Sequence, residues 1–211
     1  MKIIKPTIII DKQKCIANIK AMALKARNNK VFFRPHFKTH QSAEIGEWFR
    51  DEGIKAITVS SVTMAEYFAE NEWNDITIAF TVNINEIECI NKLAQKIKIN
   101  LLVDNTETLH CIIEKMLHEV GIFIKIDTGY HRTGVEWNNF HLIDTLTTLI
   151  KSSPKLKFKG FLTHNGNTYA ASSKEEIANI FNSSREKLLM LKTRYINEFN
   201  DIIISLGDTP S

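Results

Sequence analysis

The stretch IFIKIDTG, residues 122–129, runs from β-branched and aromatic residues into a polar turn that ends on glycine. A strand that is apolar on both faces must be covered on both faces, which is the condition of a parallel sheet and not of a hairpin with one wet side. The pattern recurs along the chain. Short β-branched or aromatic runs fall at 31–33, 56–59, 76–80, 99–103, 122–126, 158–162 and 202–205, and the segments between them repeat apolar residues at every third or fourth position. Ile84, Ile87, Leu93, Ala94 and Ile97 make one helical stripe, and Leu109, Ile112, Ile113, Met116 and Leu117 another. Ile177, Phe181, Ser184, Leu188, Leu191 and Tyr195 mark a long last helix, and a further helix over 14–26 precedes the first strand. Thr63 with Glu66, and Ser173 with Glu176, have the spacing of capping boxes.

Strands always separated by helices predict an α/β fold, and periodicity alone leaves an open sheet and a closed barrel both possible. A (β/α)8 barrel is favoured because each strand is followed at its C-terminal end by polar or glycine-containing residues, where such barrels build their sites. These ends carry Lys38, Ser60 and Ser61, Thr81 and Asn83, Asp104 and Asn105, and then residues 127–132, 163–169 and 207–209. Seven strands do not close an eight-stranded barrel. The expectation is one incomplete barrel domain over 1–211, ending before its last strand, with 7–10 as an extra strand that has no partner in the pattern.

The composition agrees with a globular chain. At 211 residues and 24.2 kDa, folding can bury about 70% of the chain's surface and leave ~10,000 Å² exposed without disulfides or metals. Lys and Arg number 27 against 24 Asp and Glu, a net charge of +3, and the basic residues are scattered, so no nucleic-acid partner is implied. The longest apolar stretches, such as 8–10 and 122–124, fall far below the ~18 residues of a membrane span, and no signal peptide is evident. Cys15, Cys89 and Cys111 are odd in number, form no CxxC and lie at helical spacings among apolar residues, which reads as reduced core thiols in a cytoplasmic protein.

Four strand-end motifs carry chemistry. RPHFKTH, residues 34–40, places Lys38 just past a buried strand among other cations; burial and neighbouring positive charge favour the neutral amine that Schiff-base chemistry needs, although a surface lysine in a loop is equally compatible with the residues. KIDTGYHRTG, residues 125–134, brackets Arg132 with two glycines, and Asp127 either holds that loop or the arginine or simply makes a turn. THNGNTY, residues 163–169, is dense in hydrogen-bonding groups, with His164 able to lie flat on a ring or move a proton. SLGDTP, residues 205–210, offers backbone donors at Gly207, Asp208 and Thr209 that suit a phosphate, although it also suits an ordinary turn. His36 and His40 are four apart but flank a strand-to-loop segment with no third ligand, so no metal site is read here.

These four motifs, in this order and spacing from Thr7 onward, resemble the D-threonine aldolase and D-serine dehydratase-like family of pyridoxal phosphate (PLP) enzymes, whose barrel is that of alanine racemase. The resemblance implies a fold type III PLP barrel and catalytic roles for Lys38, His164 and Tyr169. Lys38 would carry PLP covalently, Arg132 would face its pyridine nitrogen, His164 and Tyr169 would sit beside the ring or substrate, and Gly207, Asp208 and Thr209 would cup its phosphate. An arginine at the ring nitrogen opposes protonation there and weakens the cofactor as an electron sink. Asn167 stands where relatives often carry a second histidine, and Asn165 where they usually have a small residue. The family also implies a last barrel strand and a β-rich C-terminal domain, joined by the 7–10 strand, which supply divalent-metal ligands and complete a homodimer in a full-length enzyme. The activity so implied is a lyase acting on a D-amino acid, by aldol cleavage or by β-elimination with loss of ammonia. The alternatives are a racemase of the alanine racemase type, a non-catalytic PLP-binding or homeostasis protein, and a cofactor-free phosphate-binding barrel enzyme; Lys38 together with Arg132 argues against the last.

Overall fold

The computed structural model describes residues 4–210. Helix α1 (Lys12–Asn28) comes first, then a short 3₁₀ turn (Phe37–Thr39) and α2 (Ala43–Asp51). There follow β1 (Ile57–Val59), α3 (Val62–Glu70), β2 (Asp75–Thr81), α4 (Ile87–Ala94), β3 (Lys98–Val103), α5 (Thr106–Lys115) and β4 (Val120–Asp127). The chain ends with β5 (Val135–Glu136), α6 (Phe140–Ser152), β6 (Leu156–Leu162), α7 (Lys174–Tyr195) and β7 (Ile203–Ser205). The main sheet is entirely parallel, in the order β1-β2-β3-β4-β6-β7, and the two-residue β5 pairs with the end of β4.

Helix starts follow the sequence closely. Ser42, Ser61, Asn105, Asn139 and Ser173 each place a side-chain oxygen on a backbone N–H three residues on, satisfying a donor that the first helical turn leaves free. The Ser173–Glu176 box forms with one change: the Glu176 carboxylate reaches back to the backbone N–H and hydroxyl of Ser172. The Thr63–Glu66 box does not form, because Ser61, two residues past β1, takes the cap and leaves Thr63 inside α3. Leu117, expected on the α5 stripe, lies beyond the helix and is exposed.

Strand residues alternate between two apolar layers. The outward set, including Ile57, Ile76, Ile99, Leu101, Ile122, Ile124 and Phe161, joins the helices in the main core. The inward set forms a smaller cluster of Leu102, Phe123 and Leu162 with Ala79 beside it, made from strand residues alone. That cluster separates a polar N-terminal end, where Arg34 pairs with Asp75 at 2.8 Å and Asn100 donates to Asp75 and Thr77, from the polar C-terminal end that holds the motifs. Gly121 makes room for Asn100, whose Oδ1 would stand 2.1 Å from a Cβ placed there.

Six of the seven predicted strands form, and the exception is the first. Residues 31–33 make no ladder; Val31 and Phe32 are exposed, and the segment touches β1 only through a bridge between His36 and Thr58 and the bond from the Thr58 N–H to the Pro35 carbonyl. Proline has no N–H to donate, and the Arg34 guanidinium instead binds the carbonyls of Ile57 and Asp75. Residues 7–10 are not a strand either, and Ile8, Ile9 and Ile10 are exposed. Among the described residues β1 and β7 are not paired, so the sheet is a parallel partial barrel wall and not a closed barrel. The exposed area of 12525 Å² exceeds the ~10,000 Å² of a compact chain of this mass, as an open wall requires. The three thiols are free and half-buried; Cys89 and Cys111 pack on the main core, whereas Cys15 lies on α1 outside it. No helix among the described residues is long and apolar enough to cross a membrane.

Candidate active site

Lys38 sits in the middle of the 3₁₀ turn, anchored on its N-terminal side by Phe37. Phe37 is fully buried and packs at ring-centroid distances of 4.5 to 5.1 Å on His40, Phe49, Phe68 and Trp73. The lysine itself is exposed, against the expectation of burial, because the turn leaves the sheet at its rim instead of extending a buried strand. His36 caps the turn, its Nδ1 accepting the Lys38 backbone N–H at 3.3 Å. Burial, with the charges of Lys38 and His164 nearby, lowers the His36 pKa from 6.5 to about 4.

The second motif is folded back on β4 by the β4–β5 pairing. One Asp127 oxygen accepts the backbone N–H groups of Gly129, Tyr130 and His131 at 2.8 to 3.1 Å, so this carboxylate holds the loop and not Arg132. Burial alone would raise its pKa, but the bonds from Gly129 and His131 and the nearby His131 ring outweigh that and lower it. From the far side Thr128 shares a buried hydroxyl chain with Thr163 and Ser184, and Lys187 donates to its carbonyl. Asp104 accepts from Thr81 and Thr133, tying the ends of β2 and β3 to the loop. Arg132 is exposed, with its guanidinium carbon 5.2 Å from the Tyr130 ring centre. Lys125 is buried on the inward side of β4; desolvation and Arg132 lower its pKa, and Asp104 and Asp127 act against that.

After β6, His164 Nδ1, in the tautomer that carries its proton there, donates to the Gly207 carbonyl at 3.4 Å. Its ring lies 6.0 Å from that of Tyr130 and 6.2 Å from that of Tyr169. Desolvation lowers its pKa most; the Gly207 contact raises it, and Arg132, Lys38 and Lys125 lower it further. The Tyr169 hydroxyl donates to Thr209 at 3.3 Å, which brings the third and fourth motifs together. Gly207 has φ +146°, which favours glycine, and nothing stands within 4 Å of where a Cβ would project. Tyr130 packs against Gly166, where a Cβ would come within 2.2 Å of its ring. Asn165 is fully buried with neither amide atom hydrogen-bonded.

All four motifs therefore meet at the carboxyl ends of the strands. A small cleft between the second and third motifs is lined by Lys125, Asp127, Tyr130, Arg132, Thr163 and His164. Tyr130 and Lys125 line it although sequence spacing marks neither of them out, and His36 stands beside Lys38 and within electrostatic reach of His164. Among the described residues no three His, Cys, Asp or Glu side chains gather as a metal set. The donors present suit a phosphorylated aldehyde cofactor: a primary amine on an anchored turn, two further cations, two imidazoles of lowered basicity, and an open glycine loop.

Such a wall of parallel strands, with every polar loop at one end, defines an α/β barrel-type protein with its site on the carboxyl face of the sheet. More particularly, the chain belongs to the alanine racemase N-terminal domain family, whose pattern matches residues 10–203. It is 27% identical to a D-serine dehydratase of Dictyostelium discoideum over 71% of this chain and 42% of that protein. It is 26% identical to a D-threonine aldolase of an Arthrobacter species over 83% of this chain and 47% of that one. The solved structure of D-threo-3-hydroxyaspartate dehydratase from Delftia sp. HT23 superposes with a TM-score of 0.87 at 25% identity, covering 95% of this chain and 54% of that one. The chain thus spans about half the length of the relatives it matches.

Proposed function

We propose that residues 1–211 form the PLP-binding barrel portion of a lyase that acts at the α-carbon of a D-amino acid, of the dehydratase or aldolase type. The observation that carries this reading is the convergence of Lys38, His36, His164, Tyr169, Arg132 and the 207–209 loop at one sheet end, in a family whose relatives bear those names. PLP, when bound, supplies an electron sink for charge developing at the substrate α-carbon.

The protein's own groups divide the remaining work. Lys38, through its Nζ, would be the residue that holds the cofactor covalently. Arg132 would face the ring nitrogen. His164, kept neutral by burial and neighbouring cations, would lie beside the ring, free to hold a proton. The backbone donors of Gly207 and Asp208, and Thr209 with its bond to Tyr169, would hold the phosphate. Tyr169 stands beside His164 with its hydroxyl toward the phosphate loop, and is the second candidate for proton handling. A divalent metal and a homodimer are part of this reading only for a full-length enzyme.

The test is covalent. Sodium borohydride added to the PLP-treated protein delivers hydride to the bonded carbon and leaves a stable secondary amine, and peptide mass spectrometry should find it on Lys38; Lys38→Ala should abolish it. Labelling at another lysine overturns the assignment. In a full-length enzyme, ammonia from D-serine, or glycine and aldehyde from D-threonine, identifies the lyase; inversion at the α-carbon without either product indicates a racemase, and labelling with no turnover of any kind a PLP carrier.

A further inference from the structure

We infer that His36 is the positioning residue for Lys38: its imidazole, by accepting the Lys38 backbone N–H, holds the turn in the one rotation that presents the amine to His164 and the 207–209 loop. This deepens the PLP reading and rests on it for its chemical consequence. A three-residue 3₁₀ turn has almost no stability of its own, and its first amide donors have no partner within it. Here the chain touches β1 through a single bridge at His36, so no ladder fixes its direction. Phe37 pins the preceding side chain in the aromatic cluster, but a ring contact leaves rotation of the following peptide open. The Nδ1 bond removes that freedom at the residue bearing the amine.

Only a neutral imidazole with its proton on Nε2 can accept at Nδ1. The surroundings maintain that state: His36 is half-buried, and the charges that face it, Lys38 on its own turn and His164 from the end of β6, oppose protonation. The arrangement is repeated four residues on, where His40 Nδ1 accepts the Ser42 backbone N–H at 3.1 Å, so a histidine brackets Lys38 on each side. The two histidines that sequence spacing offers as metal ligands are thus each engaged through Nδ1 with the backbone.

Two variants separate acceptor from bulk. His36→Asn keeps a short side-chain acceptor suited to capping, and His36→Leu keeps volume without one. With PLP and borohydride, Leu should slow labelling of Lys38 by about tenfold or more and shift its pH profile, while leaving exposed Lys14 unchanged; Asn should restore most of the rate. Wild-type labelling of Lys38 in His36→Leu, or equal slowing in both variants, overturns the inference. If the parent protein labels Lys38 no better than Lys14, the PLP reading alone fails. The positioning is then read without cofactor from hydrogen exchange at the Lys38 amide, which should rise in the Leu variant and return in the Asn variant; equal exchange in all three overturns it. Should His36→Leu not fold, imidazole ¹⁵N shifts of the parent decide: a proton on Nδ1 refutes the inference and one on Nε2 supports it.

Discussion

His36 also links the site to stability. Its folded pKa of about 4 lies below the 6.5 of the unfolded chain, so in the interval between them the unfolded state binds a proton that the folded state refuses. Stability is therefore full above pH 6.5 and falls as pH drops toward 4. Urea unfolding at pH 7.5 and pH 5, largely above the carboxylate range, should show a loss of about 2 kcal/mol from this group, with His40 and His164 adding in the same direction. Asp127 acts with the opposite partner. Its lowered pKa gives stability that is present above the unfolded value of 3.8 and lost as pH falls through the folded one. Asp127→Ala removes the acceptor for three backbone N–H groups and should cost about 2 kcal/mol by thermal unfolding, whereas Asp127→Asn, which keeps an oxygen, should cost clearly less. At this scale the motifs made legible where residues stand, as for Arg132 and His164 past the ends of β4 and β6. They were silent on His36 and Tyr130, whose roles come from an amide two residues on and from a glycine thirty-six residues on.

Elements were legible wherever apolar residues occupied both faces, as in β3 and β4. The predicted strand over 31–33 does not form: Val31 and Phe32 are exposed, only Phe33 packs on the main core, and Pro35 removes a donor at the point of contact. The Thr63–Glu66 signal was outcompeted by a serine two positions earlier, since a cap belongs to the residue where the strand stops. Close strand approach was not legible at all. The β4–β6 pairing slips at Ile122 and Phe123, and just past the slip Gly160, at φ +133°, lets β7 come so near that a Cβ would stand 1.9 Å from the Ile203 carbonyl. Gly160→Ala should therefore separate β6 from β7, with a loss on the order of 3 kcal/mol by denaturant unfolding and faster amide exchange confined to those strands. Since β7 leads into 207–209, the variant should also weaken PLP binding without changing the rest of the sheet.

For the whole molecule, βα alternation was enough to foresee a parallel sheet with its chemistry at one end, but not whether that sheet closes, because closure depends on which edges meet and periodicity carries no information about edges. The same topology governs when the site comes into being. His164 meets Gly207 and Tyr169 meets Thr209 across intervals of about forty residues, and His36 reaches Thr58 only by way of a whole helix. The four motifs lie far apart in sequence, so each is brought to the others by a long loop closure of the kind that makes parallel sheets slow to fold. In refolding from urea, far-UV circular dichroism should recover first and PLP attachment at Lys38 should lag behind it; simultaneous recovery would mean that the amine is presented by local structure alone. The cofactor would then serve the nascent chain as a timer, captured only by molecules in which strands from both ends of the sequence have already found one another.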